Sequence, residues 1–417
     1  GTIIFQNTYN PVDATVGLNT LVKKQLNNGE PGDKAFTFAI FNNGEAAFDA
    51  NGMLTNLADA VATGTNDASG NVTFAPVQLT FSQVGKYEYD VVEVKGTLGG
   101  VTYDATVYDL VVEVTDDGNG TLKAEHYFED AVGQQVTFKN TYTTEPTSVV
   151  IEGVKRIQVN SGVKLLNAGD YTFQLFEADA QNAPVGNPLA TTSNLANGTF
   201  QFDAIEYTHD DIGKTFRYIV LEKVPDGASV DPASGKYVLN GVTYSDAKFL
   251  VEVTITDNGD GTLKKDVTGN GANAIQFVNT YESKLASVTL SGTKELRGRN
   301  LQAGEYSFVL HTSNAAFTEK NAIVQQNGAD SVANDANDEF TFKIENLGMG
   351  YHYYILSEVI PDQRDTGIHY DANVYHITVQ VSDSGNGQMG AITTVVHSGQ
   401  PNVSNPPIVF KNVYSPE

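Results

Sequence analysis

Cysteine and tryptophan are absent from the 417 residues, so no disulfide can staple this chain. Basic residues are scarce: 25 Lys and Arg stand against 50 Asp and Glu, a net charge of -25. A chain so acidic repels phosphate backbones and anionic headgroups, which excludes nucleic acid and membrane surfaces as partners. No apolar run reaches the roughly 18 residues a membrane-crossing helix needs, and no basic, apolar and small-residue sequence marks a signal peptide at the start. The expectation is a soluble, already trimmed segment. Long stretches with apolar residues at helical spacing are also missing. In their place stand 39 Gly, 20 Tyr and 21 Phe with many Thr and Val, which favours short strands joined by turns. The chain reads as all-β and is too long for one core.

One short segment occurs four times: Phe5-Gln6-Asn7-Thr8-Tyr9, Phe138-Lys139-Asn140-Thr141-Tyr142, Phe277-Val278-Asn279-Thr280-Tyr281 and Phe410-Lys411-Asn412-Val413-Tyr414. Its asparagines are 133, 139 and 133 residues apart, the signature of tandem units. Each unit opens on a lysine segment around Lys24, Lys155 or Lys294 and carries an aromatic segment ending in Glu93, Glu222 or Glu358 mid-unit. Gly100-Val101-Thr102-Tyr103-Asp104 and its counterparts from Gly241 and Gly367 precede an alternating run. That run meets an Asp/Asn/Gly hairpin at Asp116–Gly120, Asp257–Gly261 or Asp383–Gly387. These clusters lack the twelfth-position Glu and following helix of a calcium loop, so they read as turns, and neither metal nor cofactor is expected. The predicted domains are 12–143, 144–282 and 283–417. Residues 1–11 read as the closing strand of a preceding unit, as in a segment of a longer array.

Strand side chains alternate faces, so phase tells where a charged residue points. Lys24 falls in phase with Val16, Leu18, Val22 and Leu26, whereas Lys23 shares its face with Gln25. Lys155 falls in with Val149, Ile151, Ile157 and Val159, and Lys294 with Val288, Leu290 and Leu296. By the same count Glu93, Glu222 and Glu358 share the face of Tyr89, Tyr218 and Tyr354, while Asn140, Asn279 and Asn412 lie between inward aromatic residues. Three polar groups per unit thus face one core.

Stripping water from a charge is costly, so a buried lysine drifts toward a neutral amine and a buried glutamate toward the acid. The amine can attack the asparagine carboxamide while the acid donates to its oxygen and shuttles protons, and ammonia leaves. The predicted cross-links are Lys24–Asn140, Lys155–Asn279 and Lys294–Asn412, with Glu93, Glu222 and Glu358 assisting. Asn7 has no matching lysine and stays unlinked. A buried Lys–Glu ion pair beside a hydrogen-bonded Asn, with no chemistry, is the competing reading, and the recurrence of the triad, its order and its phase in three units weighs against it; whether the Glu takes part or only sets the pKa of its neighbour, phase does not separate.

These motifs resemble the pilin isopeptide-linkage modules of Gram-positive surface proteins, the streptococcal major-pilin type with a CnaB-like fold. The resemblance spans nearly the whole chain and includes the opening Leu290–Leu296 and Ala303–Phe308 of the third unit. It implies three tandem immunoglobulin-like β-sandwich domains, each bridged between first and last strands. It also implies an extracellular, cell-wall-anchored stalk of an adhesin or pilus whose partners are its neighbouring modules. A Leu-Pro-x-Thr-Gly sorting signal and a Tyr-Pro-Lys-Asn-like segment are missing, which favours a repeat stalk over a pilus backbone. The alternative function is an adhesin module that recognises a host protein or glycan through its long irregular segments, Asn42–Asn71 and Asn314–Asp338. Turnover catalysis is not expected: the seven histidines are scattered, and no Gly-x-Ser-x-Gly elbow occurs.

Overall fold

Alternation with a period of two governs the structure, a computed structural model that describes residues 1–33, 35–129 and 131–416. The chain falls into two compact units. One holds Gly1–Val149 with Ala204–Phe216 and Glu252–Val267; the other holds Val150–Asp203, Arg217–Val251 and the chain from Thr268 onward. Three β-sandwiches follow one another in sequence, the middle one with strands in both units.

In each sandwich the opening strand pairs in parallel with the closing one: Val22–Asn27 with Val136–Tyr142, Glu152–Val159 with Ile275–Tyr281, and Ala286–Arg297 with Val409–Tyr414. The register is the same three times, with Lys24 opposite Phe138, Lys155 opposite Phe277 and Lys294 opposite Phe410. Each asparagine therefore lies two residues further along, on the lysine's face. The glutamates come from the other sheet, where Glu93 pairs with Phe38, Glu222 with Phe173 and Glu358 with Phe308. The phenylalanines opposite the lysine and the glutamate meet in the core, with ring centroids 5.5, 5.2 and 5.2 Å apart.

The opening strand is less regular than its phase predicts. In the first sandwich it breaks between Gly17 and Val22, and both Leu18 and Leu21 are buried across the break. In the second it breaks between Val149 and Glu152, and Val159, expected to point inward, is exposed where the strand runs past the core. The third is continuous.

The closing tyrosines have a second task. Within the first unit the Tyr142 hydroxyl donates to Asp257 at 2.7 Å and accepts from the Gly261 N–H at 3.2 Å. Within the second unit Tyr281 does the same with Asp383 and Gly387, at 2.8 and 3.0 Å. Tyr9 repeats the pattern on Asp116 and Gly120, at 3.0 and 3.1 Å. A Cβ on Gly241 would lie 2.5 Å from the Gly387 Cα, so this approach admits only glycine.

Both long segments are more ordered than predicted. In the first, Ala46, Leu54 and Ala60 cover Ala39, Phe41 and Val92 on the outer sheet face, and residues 62–66 form a strand. In the second, Phe317 stacks on His376 with centroids 4.5 Å apart.

Candidate functional site

Each predicted Lys, Glu and Asn of the three repeats is buried, and each set of three is brought together. Lys24, Lys155 and Lys294 are 2 %, 1 % and 1 % exposed, whereas the adjacent Lys23 faces solvent, as phase requires. The lysine Nζ donates to one glutamate oxygen at 2.8 Å in every repeat. The other glutamate oxygen accepts from the asparagine Nδ2, at 2.7 Å from Asn140, 2.7 Å from Asn279 and 2.6 Å from Asn412. One carboxyl group thus links the amine to the carboxamide nitrogen.

The sequence reading has the glutamate donating to the carboxamide oxygen. In the structure that oxygen accepts a backbone N–H instead, from Asp104, Ser245 or Asp371. Asn7, by contrast, is exposed and outside any strand. Among the described residues no group of three or more His, Asp or Glu is placed to hold a metal ion.

Burial moves the two ionisable groups toward each other. It lowers all three lysines, Lys155 to about 8, against the opposing pull of the glutamate. It raises Glu93, Glu222 and Glu358 against the opposing lysine. Both displacements bring the neutral amine and acid pair closer in energy to the ion pair.

Sequence reasoning missed the residues that shape the amine's surroundings. An aromatic ring lies 4.6 to 4.7 Å from each Nζ: Phe36 at Lys24, Tyr171 at Lys155 and Tyr306 at Lys294. Each ring is anchored by a second buried asparagine, Asn66, Asn194 or Asn334, whose oxygen accepts the aromatic residue's backbone N–H at 2.8 to 2.9 Å. Four residues after that asparagine, the carbonyl of Gly70, Gly198 or Asp338 accepts the lysine's own backbone N–H at 2.7 Å. The signal was present as Asn66-Asp67-Ala68-Ser69-Gly70, Asn194-Leu195-Ala196-Asn197-Gly198 and Asn334-Asp335-Ala336-Asn337-Asp338.

The sequence profile described as "FctA: Spy0128-like isopeptide containing domain" matches residues 20–143, 151–282 and 290–415. The chain belongs to this family. Among solved structures it is similar to the major pilin of Streptococcus pyogenes, at 15 % identity over 64 % of this chain and 99 % of that one, TM-score 0.22. Two B repeat units of the collagen-binding protein of Staphylococcus aureus match at 13 % identity over 97 % of this chain and 76 % of that one, TM-score 0.21. A streptococcal ancillary pilin matches at 15 % identity over 97 % and 100 %, TM-score 0.18. No curated protein matches the chain. No helix among the described residues is long and apolar enough to cross a membrane.

Proposed function

We propose that this chain is a stalk segment of a Gram-positive pilus or surface adhesin, built of modules 12–143, 144–282 and 283–417. Each module is closed by a self-formed isopeptide bond: Lys24–Asn140, Lys155–Asn279 and Lys294–Asn412. Asn7 stays unlinked. The observation that carries the reading is the repeated register: a buried amine and a carboxamide on adjacent parallel strands, joined through one glutamate from the facing sheet, three times over. A simple ion pair would not call for the carboxamide in the same place each time.

The neutral amine attacks the carboxamide carbon, one proton passes from Nζ to Nδ2 through the glutamate, and ammonia leaves. Each site reacts once, so the protein is not a turnover enzyme. The bond is an amide and resists reductants, which suits an extracellular tether without cysteine. The long segments give an adhesin reading less support, because Ala46, Leu54, Ala60 and Phe317 are used in packing.

Intact mass of the denatured chain tests the reading. A deficit of three ammonia masses, falling to two in each of Lys24→Ala, Lys155→Ala and Lys294→Ala, is expected. The plain sequence mass would leave three buried ion pairs and no bond.

A further inference from the structure

The closing strand is central in its sheet, with the lysine strand on one side and a short strand on the other: Val101–Thr102, Val242–Thr243 or Ile368–His369. Two residues beyond each short strand, a backbone N–H turns toward the asparagine. Asp104 N–H donates to Asn140 Oδ1 at 2.8 Å, Ser245 N–H to Asn279 Oδ1 at 2.8 Å, and Asp371 N–H to Asn412 Oδ1 at 2.7 Å. A backbone N–H can only donate, so the atom it faces must be the carboxamide oxygen and the NH2 must face the glutamate. The two ends of the carboxamide are thereby distinguished by the fold before any reaction.

We propose that this backbone N–H is the oxyanion donor of bond formation, an inference that rests on the isopeptide reading. As Nζ bonds to the carboxamide carbon, the C=O electron pair moves onto Oδ1, where the N–H already points. The glutamate, touching Nζ with one oxygen and Nδ2 with the other, receives a proton from the first and delivers one to the second. The C–Nδ2 bond then breaks, the oxygen's electron pair re-forms C=O, and NH3 departs. The charge on oxygen and the proton transfer are handled by different groups, and the glutamate does not have to serve both.

The donor is held in place. The Asp104 carboxylate accepts the closing strand's Lys139 N–H at 2.8 Å and the Thr106 N–H of its own turn at 3.0 Å. Asp371 does the same with Lys411 at 2.9 Å and Asn373 at 3.0 Å. These two aspartates are positioning residues, since they touch the donor's backbone surroundings and not the reacting atoms. In the middle repeat Ser245 occupies the place, and its hydroxyl accepts the Ala247 N–H at 3.3 Å.

The test compares two full-length chains made by cell-free translation: Ser245→Ala, and the same chain with lactic acid at position 245, which replaces the N–H by an ester oxygen. Samples quenched over time and digested report each cross-linked peptide pair by mass. The ester is expected to slow the Lys155–Asn279 bond about 10²-fold, while the bonds of the other two repeats form at the unmodified rate and show that the chain folds. Equal rates for ester and amide overturn the inference. Three bonds missing from the unmodified chain overturn the isopeptide reading itself, a different result.

A second pair of variants guards against an ester that does not fold. Asp104→Asn removes the charge and keeps one oxygen, which can accept from the Lys139 N–H or the Thr106 N–H but not both, and it is expected to react at a rate between those of wild type and Asp104→Ala. Asp104→Ala releases the turn and reacts several-fold more slowly. Equal slowing by both would assign the effect to the carboxylate charge and overturn the positioning role.

Discussion

In the proposed reading, Asn140→Ala removes the electrophile of the first repeat and leaves the 2.8 Å Lys24–Glu93 pair in place. The proposed bond from Lys24 to Asn140 would close a loop of over a hundred residues, and in the chain-entropy treatment of cross-links that is worth about 5 kcal/mol. For a domain of this size each kcal/mol moves the melting temperature by roughly 3–4 °C. The first repeat's transition should therefore fall by about 15–20 °C in calorimetry, and the intact mass should show two lost ammonia molecules in place of three. Without a bond, the substitution costs only the hydrogen bonds of a buried amide, about 1–3 kcal/mol. A drop of less than about 10 °C with an unchanged ammonia deficit would refute the reasoning.

The unlinked middle repeat should depend on pH in an unusual direction. In Asn279→Ala, burial holds Lys155 at about 8, below its ordinary 10.5. Between those values the unfolded chain carries a proton that the folded chain has lost. Stability therefore rises with pH across this window, read as an increasing urea midpoint, and a flat profile would contradict it. Gly198→Ala should destabilise the same repeat by about 2 kcal/mol or more, because φ there is +89° and a Cβ would sit 2.4 Å from the Lys155 carbonyl oxygen; chemical denaturation checks this. Tyr142→Phe should cost about 1.5–3 kcal/mol through loss of its bond to the Asp257 carboxylate. A double-mutant cycle with Asp257→Ala should return that value, and zero coupling would deny the contact any energetic role.

Phase was enough to choose Lys24 over Lys23 and to turn nine polar side chains inward, because alternation is a local property of one strand. It could not say which strands are neighbours. The parallel pairing of Lys24 with Phe138 joins residues far apart in the chain, and so does the Asp104 N–H on Asn140. For the same reason the carboxamide's orientation was misread: the glutamate was visible as an inward group, but the competing donor lies in the turn that follows a third strand. The hydrogen bonds of Tyr142 to the Asp257 hairpin and of Asn66 to Phe36 were invisible as contacts, although both motifs repeat in the sequence. Leu18 and Leu21 show the opposite failure, since a break in the strand lets both be buried when alternation allows only one.

The cluster in each repeat is built by strands whose mutual register never changes, yet the chain between them does. The first repeat spends its variable stretch covering an outer sheet face, and the third folds a phenylalanine back onto a histidine. Residues outside the conserved registers are under no obligation to the cluster. A repeat built this way can exchange most of its exposed surface while keeping its buried cluster unaltered.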